Sequence, residues 1–326
     1  MKFVKKILMT IALPVLFYLF FLVATGGRFS SSSIILAILR TSVYPCILCM
    51  AMSMNMTMGM WDFSIGAVVT VSAILGGNLA LTLGWGVPGL ALFCVIIAIC
   101  VSTISGLAYN FFKVPSLVLS IGLAMVYEGL PRLFVSGGLS TKRAQGILST
   151  NPYCFIVLAV AFVIYFIIQS FTVHGKNMAV IGANQEVAYR SGVSLTKTKL
   201  LSYVLTGLFA GIAAVIYVGN HTSIAVPSNL SSVSAIFDAM MGFFVASFLA
   251  RYCGLPVGII VGVVTMRILN TGLVSCGLSS SVNQILTGVF LLALLVFSAN
   301  QNLVAEIKTK RSVAKAANEK YSAMAS

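Results

Sequence analysis

The sequence predicts an all-α polytopic membrane protein of about ten transmembrane helices. Of its 326 residues, 59% are apolar and only 8% are charged, against roughly a quarter charged in a soluble domain. The mean hydropathy is +1.05. The apolar residues fall in runs of about 18 to 25, the length at which a helix crosses a bilayer core. So few charges cannot cover the surface of a 34.5 kDa globule. The same composition excludes a disordered chain, a disulfide-stapled secreted domain and a coiled coil.

The first span, 7–25, follows Lys2, Lys5 and Lys6. It is too long for the apolar core of a signal peptide and no small-x-small cleavage site follows, so it reads as a retained span. Further spans are expected at 41–59, 62–83, 88–111, 115–135, 154–171, 200–219, 235–250, 255–275 and 282–299. With the N-terminus in the cytoplasm, alternation places Lys113, His174, Lys176, Arg190, Lys197, Lys199, Arg251 and the tail 305–326 on the cytoplasmic side. Fourteen Lys and Arg then lie inside and four (Arg28, Arg40, Lys142, Arg143) outside, the asymmetry of the positive-inside rule. Arg132 and Arg267 stay in or near spans. The net charge of +14 is therefore read as topology, not as nucleic-acid binding. The expected organisation is one transmembrane domain, 1–304, and a cytoplasmic tail, 305–326, with both termini in the cytoplasm.

The longest polar connection, 172–199, is cytoplasmic on this topology. After His174-Gly175-Lys176-Asn177 and an apolar turn it carries a short helix, which Asn184 caps and Gly192 ends. Such a helix either docks a partner or is an ordinary loop helix. Gly86-Val87-Pro88 and Gly254-Leu255-Pro256 each precede a span, and by parity the two spans run in opposite directions. That is the sign of an inverted repeat.

Met50, Met52, Met54, Met56, Met58 and Met60 alternate with small residues. In a strand they would offer thioethers to Cu(I); in a helix they split into two ridges that fill gaps beside small grooves. Packing is the expected reading, since His174 and His221 are the chain's two histidines. His221 reads as a solvated loop residue. The seven cysteines imply no disulfide framework, and Cys46-x-x-Cys49 lies in an apolar span, where packing explains it.

Ionisable residues at membrane depth are costly and are functional candidates. Asp62 opens the third span, where it carries function or caps a helix. Glu128 and Arg132 are spaced to pair on one helical face. Asp238 and Arg267 complete the set. There is no P-loop, no H-E-x-x-H and no G-x-S-x-G, so neither a nucleotide site nor an intramembrane enzyme is expected.

Several motifs occur in order. Gly59-Met60-Trp61-Asp62-Phe63-Ser64-Ile65-Gly66 resembles the G-G-I-D-L-S-V-G signature of permease subunits of bacterial ABC sugar importers of the ribose, galactose, xylose and autoinducer type. Lys113-Val114-Pro115-Ser116 with Ile121-Gly122 resembles that family's K-I-P-x-F-I-x-T-L-G. The stretch from Gly182 to Val193 resembles its G-G-N-x-E-A-A-x-x-S-G-I loop. Asn270-Thr271-Gly272-Leu273, with Gly277, Ser279, Gln284 and Gly288, resembles its N-N-G-L…G-V-S…Q…K-G pattern. The likeness runs from about residue 35 to 298. Glu128 stands where the family has Arg, and Ala246–Gly254 lacks most of the glycines of its G-G-T-S-L-x-G-G-x-G segment.

The resemblance implies a permease fold of ten spans per subunit, with two subunits enclosing one pathway in a bacterial cytoplasmic membrane. The second subunit is another copy or a sister permease. Cytoplasmic ATPase subunits would sit below and an extracytoplasmic solute-binding protein above. ATP and Mg would bind the ATPase, leaving this chain without a cofactor. Asn184, Glu186, Ala188, Arg190 and Gly192 would form the coupling helix. Asn55, Asp62, Ser64, Glu128 and Asn270 are the candidate residues for the pathway of a small hydrophilic solute, a sugar or sugar-like molecule. The alternative is a secondary transporter or channel without an ATPase, for a metal ion carried on the methionines.

Overall fold

The computed structural model describes residues 2–112, 114–135, 137–140, 143–279, 281–290, 292–293 and 296. Lys113, Lys142, the tail 305–326 and much of the tenth span's second half lie outside these residues. The chain divides into two units, Met1–Cys276 and Gly277–Ser326. In the second, residues 281–290 are helical.

The first unit is a bundle of helices: α1 (Lys2–Ala24), α2 (Ser32–Met56), α3 (Ile65–Leu83), α4 (Gly86–Phe112), α5 (Ser116–Gly129), α6 (Tyr153–Phe171), α7 (Val173–Ala183), α8 (Gln185–Arg190), α9 (Leu195–Asn220), α10 (Ser234–Cys253) and α11 (Leu255–Ser275). A two-residue antiparallel ribbon joins β1 (Leu139–Ser140) to β2 (Ser223–Ile224), with Leu139 opposite Ile224.

Among the described residues eight helices are long and apolar enough to cross a membrane, and they correspond to the second through ninth spans expected from sequence. The protein is a multi-pass membrane protein. Three features differ from the sequence reading in ways that bear on the site. The second span begins at Ser32 and so takes Arg40 into α2; a lone arginine does not break a helix when it faces a recess. The third begins at Ile65, because Asp62 and Ser64 belong to the break before it. The apolar turn expected before Asn184 is the helix α7, capped by Thr172, whose hydroxyl accepts from Gly175 N at 3.2 Å. Met178 and Ile181, three residues apart, bury one face of α7 and hold it as a helix.

The core sits around the second half of α2, where nearly every side chain from Val43 to Asn55 is buried. α9, α10, α11 and α6 pack around it. Met50, Met52, Met54, Met58 and Met60 are all at most 2% exposed. Their sulfurs are packing groups inside the fold, not the lining of an open path. α4 and α9 lie close because Gly207 and Gly211 face the α4 backbone, where a Cβ would overlap Ile99 and Val95. Small residues four apart are the usual device for close helix contact in lipid. Ser102 Oγ then reaches across to donate to the Tyr203 carbonyl at 2.7 Å.

Gly86 and Gly254 both adopt positive φ, +59° and +78°, and each makes the tight turn between two long helices, α3 to α4 and α10 to α11. The two Gly-x-Pro segments thus share a glycine at positive φ.

Candidate functional site

α2 ends at Met56 because Gly59 turns the chain at φ +76°. Met58 N and Met60 N both return to the Asn55 carbonyl, each at 3.1 Å. The chain therefore doubles back and brings Asp62 beside Asn55, which donates from Nδ2 to Asp62 Oδ2 at 3.1 Å. Asp62 Oδ1 accepts from Ser64 N at 3.0 Å and from Ser64 Oγ at 2.6 Å. Asp62 fastens the turn before α3 rather than capping its first amides. All three residues are buried. The Asn55 amide oxygen is buried without a hydrogen-bond partner, and an unmet acceptor of this kind costs about 1–3 kcal/mol. Beside the cluster Trp61 N donates to Ser116 Oγ at the start of α5, at 3.1 Å.

Glu128, at the end of α5, does not pair with Arg132. Helix α5 stops at Gly129 and Pro131 opens a 3-10 turn, so the two side chains no longer share a helical face. Arg132 Nη2 donates to the Pro227 carbonyl at 3.3 Å. Glu128 instead reaches the segment between β2 and α10. Its Oε2 accepts from Leu230 N, and its Oε1 from Ser232 N and Ser232 Oγ, at 2.9, 2.9 and 2.6 Å. Leu230 and Asn229 have positive φ, which turns these amides toward one carboxylate. The far side of the same segment presses on α3: a Cβ at Gly66 would overlap the Ser232 carbonyl oxygen. The structure thus brings Asn55, Asp62 and Ser64 together and places Glu128 one segment away, across Ser232 and Gly66. Asn270 lies apart in sequence on α11 and is partly buried.

His221 is exposed. Its Nδ1 lies 2.8 Å from the Tyr217 carbonyl, and the two rings are 4.2 Å apart.

At the other end of α9, the short helix α8 forms as expected. Asn184 Oδ1 accepts from Glu186 N and Val187 N at 2.9 and 3.1 Å. Gly192 ends it at φ +81°, with Val193 N returning to the Ala188 carbonyl at 3.1 Å. Glu186 and Arg190 form an exposed ion pair one turn apart. Ala188 is buried, whereas Val187 and Tyr189 are 56% and 70% exposed. The pair α7–α8 is seated on the bundle. A Cβ at Gly182 would overlap the Thr57 carbonyl, and His174 Nε2 lies 3.2 Å from Ser202 Oγ on α9. Burial holds the His174 imidazole below its usual range.

One relationship was missed by sequence reasoning. Arg267 on α11 donates to Asp238 on α10 at 3.2 Å. The signal was present, because the two charges lie at similar distances on either side of the Gly254 turn and so at similar depth in the hairpin.

Residues 34–299 match the family described as branched-chain amino acid transport system / permease component. Three relatives illustrate the likeness. The autoinducer 2 import system permease protein LsrC of Photorhabdus luminescens is 24% identical over 74% of this chain and 78% of its own. The ribose import permease protein RbsC of Bacillus subtilis (strain 168) is 26% identical over 79% of this chain and 82% of its own. The galactofuranose transporter permease protein YtfT of Escherichia coli (strain K12) is 23% identical over 89% of this chain and 86% of its own. No solved structure matches the chain. With the family match covering most of the chain, and a bundle of membrane-length helices to carry it, the protein belongs to the branched-chain amino acid transport system / permease component family: it is a transport component of the membrane and not an enzyme.

Proposed function

We propose that this chain is the permease subunit of an ATP-driven importer that moves a small hydrophilic solute, a sugar or sugar-like molecule, across the cytoplasmic membrane. The relatives named for autoinducer 2, ribose and galactofuranose import support that solute class. The observation that carries the reading is α8: a capped, rigid helix outside the spans, with Val187 and Tyr189 presented outward and Ala188 anchored. Its partners would be cytoplasmic ATPase subunits, an extracytoplasmic solute-binding protein and a second permease chain, a copy or a sister. The ATPase would hold ATP and Mg, and both termini of this chain would lie in the cytoplasm.

The arrangement gives such a partner a lever. A load on α8 passes through α7, where Gly182 bears on Thr57 at the end of α2. Thr57 is two residues from Asn55, and Asn55 holds Asp62 at the start of the α3 segment. Movement of α8 is therefore delivered to the Asn55–Asp62–Ser64 cluster through the Gly182–Thr57 backbone contact and the buried Asn55–Asp62 hydrogen bond. This makes those three residues, with Glu128 and Asn270, the proposed pathway set. ATP-driven displacement would exchange the sealed cluster for one open to solute.

The test uses the assembled transporter in vesicles. Val187→Asp with Tyr189→Ala should lower solute-stimulated ATP hydrolysis at least tenfold while membrane insertion is unchanged. Deletion after Val304 should do much less. Normal coupling in the double variant, together with uncoupling by the tail deletion, rules this reading out.

A further inference from the structure

The end of the bundle remote from α8 holds a polar feature that the coupling reading does not use. A recess of about 640 Å³ lies between the first half of α2, the start of α6, the end of α9 and α11. That volume falls among those of small-molecule sites. Two guanidiniums line it, Arg40 and Arg267. Arg267 is matched by Asp238 at 3.2 Å. Arg40 is exposed, and among the described residues it makes no hydrogen bond and no ion pair. It follows Ile34-Ile35-Leu36-Ala37-Ile38-Leu39 in a helix of membrane length. An arginine there is costly against lipid, and such residues face a water-filled cavity or the bundle interior.

The rest of the polar lining offers hydroxyls from Ser33 and Thr41 beside phenol, amide and imidazole groups. Tyr44, Asn151, Asn220 and His221 contribute, and none of the described lining residues is a carboxylate. A neutral sugar has no charge to set against a guanidinium, whereas a carboxylate or phosphate pairs with it through charge-assisted hydrogen bonds. A recess that holds the Arg40 guanidinium and no carboxylate among its described lining residues suits an anion.

We propose that this recess binds an anionic hydrophilic solute of about monosaccharide size, its carboxylate or phosphate on Arg40 and its hydroxyls on Tyr44 and the two asparagines. The proposal rests on the importer reading and narrows its solute class to acidic or phosphorylated sugars and molecules like them.

The full chain is purified in phosphatidylcholine nanodiscs. Binding of radiolabelled glucuronate, glucose 6-phosphate and glucose is measured by equilibrium dialysis. One of the two anions should bind at least tenfold tighter than glucose and weaken as salt is raised. Arg40→Gln should lose at least tenfold, and Arg40→Lys should retain most of the affinity, which separates charge from folding. Equal binding of glucose, full anion affinity in Arg40→Gln or no binding of any probe overturns the proposal. Loss of anion binding when phosphatidylglycerol is added to the nanodisc also overturns it, by assigning the recess to a lipid headgroup. ATP-driven uptake by the assembled transporter distinguishes the two readings. Uptake of glucose that Arg40→Gln leaves unchanged overturns the anion site and leaves the importer standing. Anion binding without ATP-driven uptake of any probe overturns the importer alone.

Discussion

Glu128 holds Ser232. One carboxylate oxygen takes both the backbone N–H and the hydroxyl of Ser232, at 2.9 and 2.6 Å, and the other takes Leu230 N. Glu128 is 4% exposed. Hydrogen bonds to an ionised group are worth about 1.5–3 kcal/mol each, so three of them fasten the segment before α10 to α5.

Glu128→Gln should therefore cost roughly 2–3 kcal/mol, because one amide N–H₂ now faces a backbone N–H. Adding Arg132→Gln should not restore the loss, since Arg132 serves the Pro227 carbonyl. Folded yield by size-exclusion chromatography checks both. Recovery in the double variant would show that the two charges pair after all.

Gly66→Ala tests the other side of the same segment. The added methyl meets the Ser232 carbonyl, which is backbone and cannot swing away. Overpacking of this kind costs about 1–3 kcal/mol. Gly122→Ala on α5, where a Cβ meets nothing within 4 Å, is the control and should be neutral or slightly stabilising. Equal melting temperatures for the two variants would contradict the close contact.

Replacement of Met50, Met54 and Met58 by Leu conserves volume and should cost less than about 1.5 kcal/mol. Uptake by the assembled transporter should be nearly unchanged. A triple variant that folds normally yet loses copper binding or copper uptake would return the thioethers to a ligand role.

His174 predicts a pH dependence. Its imidazole is held below the usual 6.5 by burial beside Ser202. As pH falls through about 6.5 the unfolded chain takes a proton that the folded chain still refuses. The unfolded state then binds more protons, so stability rises with pH in that window. It should be full above about pH 7 and decline as pH drops from about 6.5 toward the lower folded value. His174→Gln, which keeps a hydrogen-bond partner for Ser202, should flatten that decline. Thermal unfolding of both proteins across the window is the measurement, and identical slopes would remove His174 as the cause.

Local physics made much of this protein legible in its sequence. Runs of apolar residues longer than a bilayer core fix the class and the places of the spans, because burial in lipid demands helix wherever side chains are apolar. Asn184 and Gly192 mark the ends of α8, because a cap and a left-handed turn act within a few residues of themselves. Ordered motifs across most of the chain place it in its family. The partners of charges were not legible. Glu128 finds Ser232 across more than a hundred residues of sequence, not Arg132 four residues away, because Pro131 ends the helix that would have aligned them. Asp238 finds Arg267 only once the Gly254 turn folds α10 on α11. Arg40 is exposed in a recess because α2, α6, α9 and α11 meet around it. A buried charge takes whichever donors the packed helices bring within about 3 Å, and that distance is decided by how helices cross, which spacing along the chain does not encode.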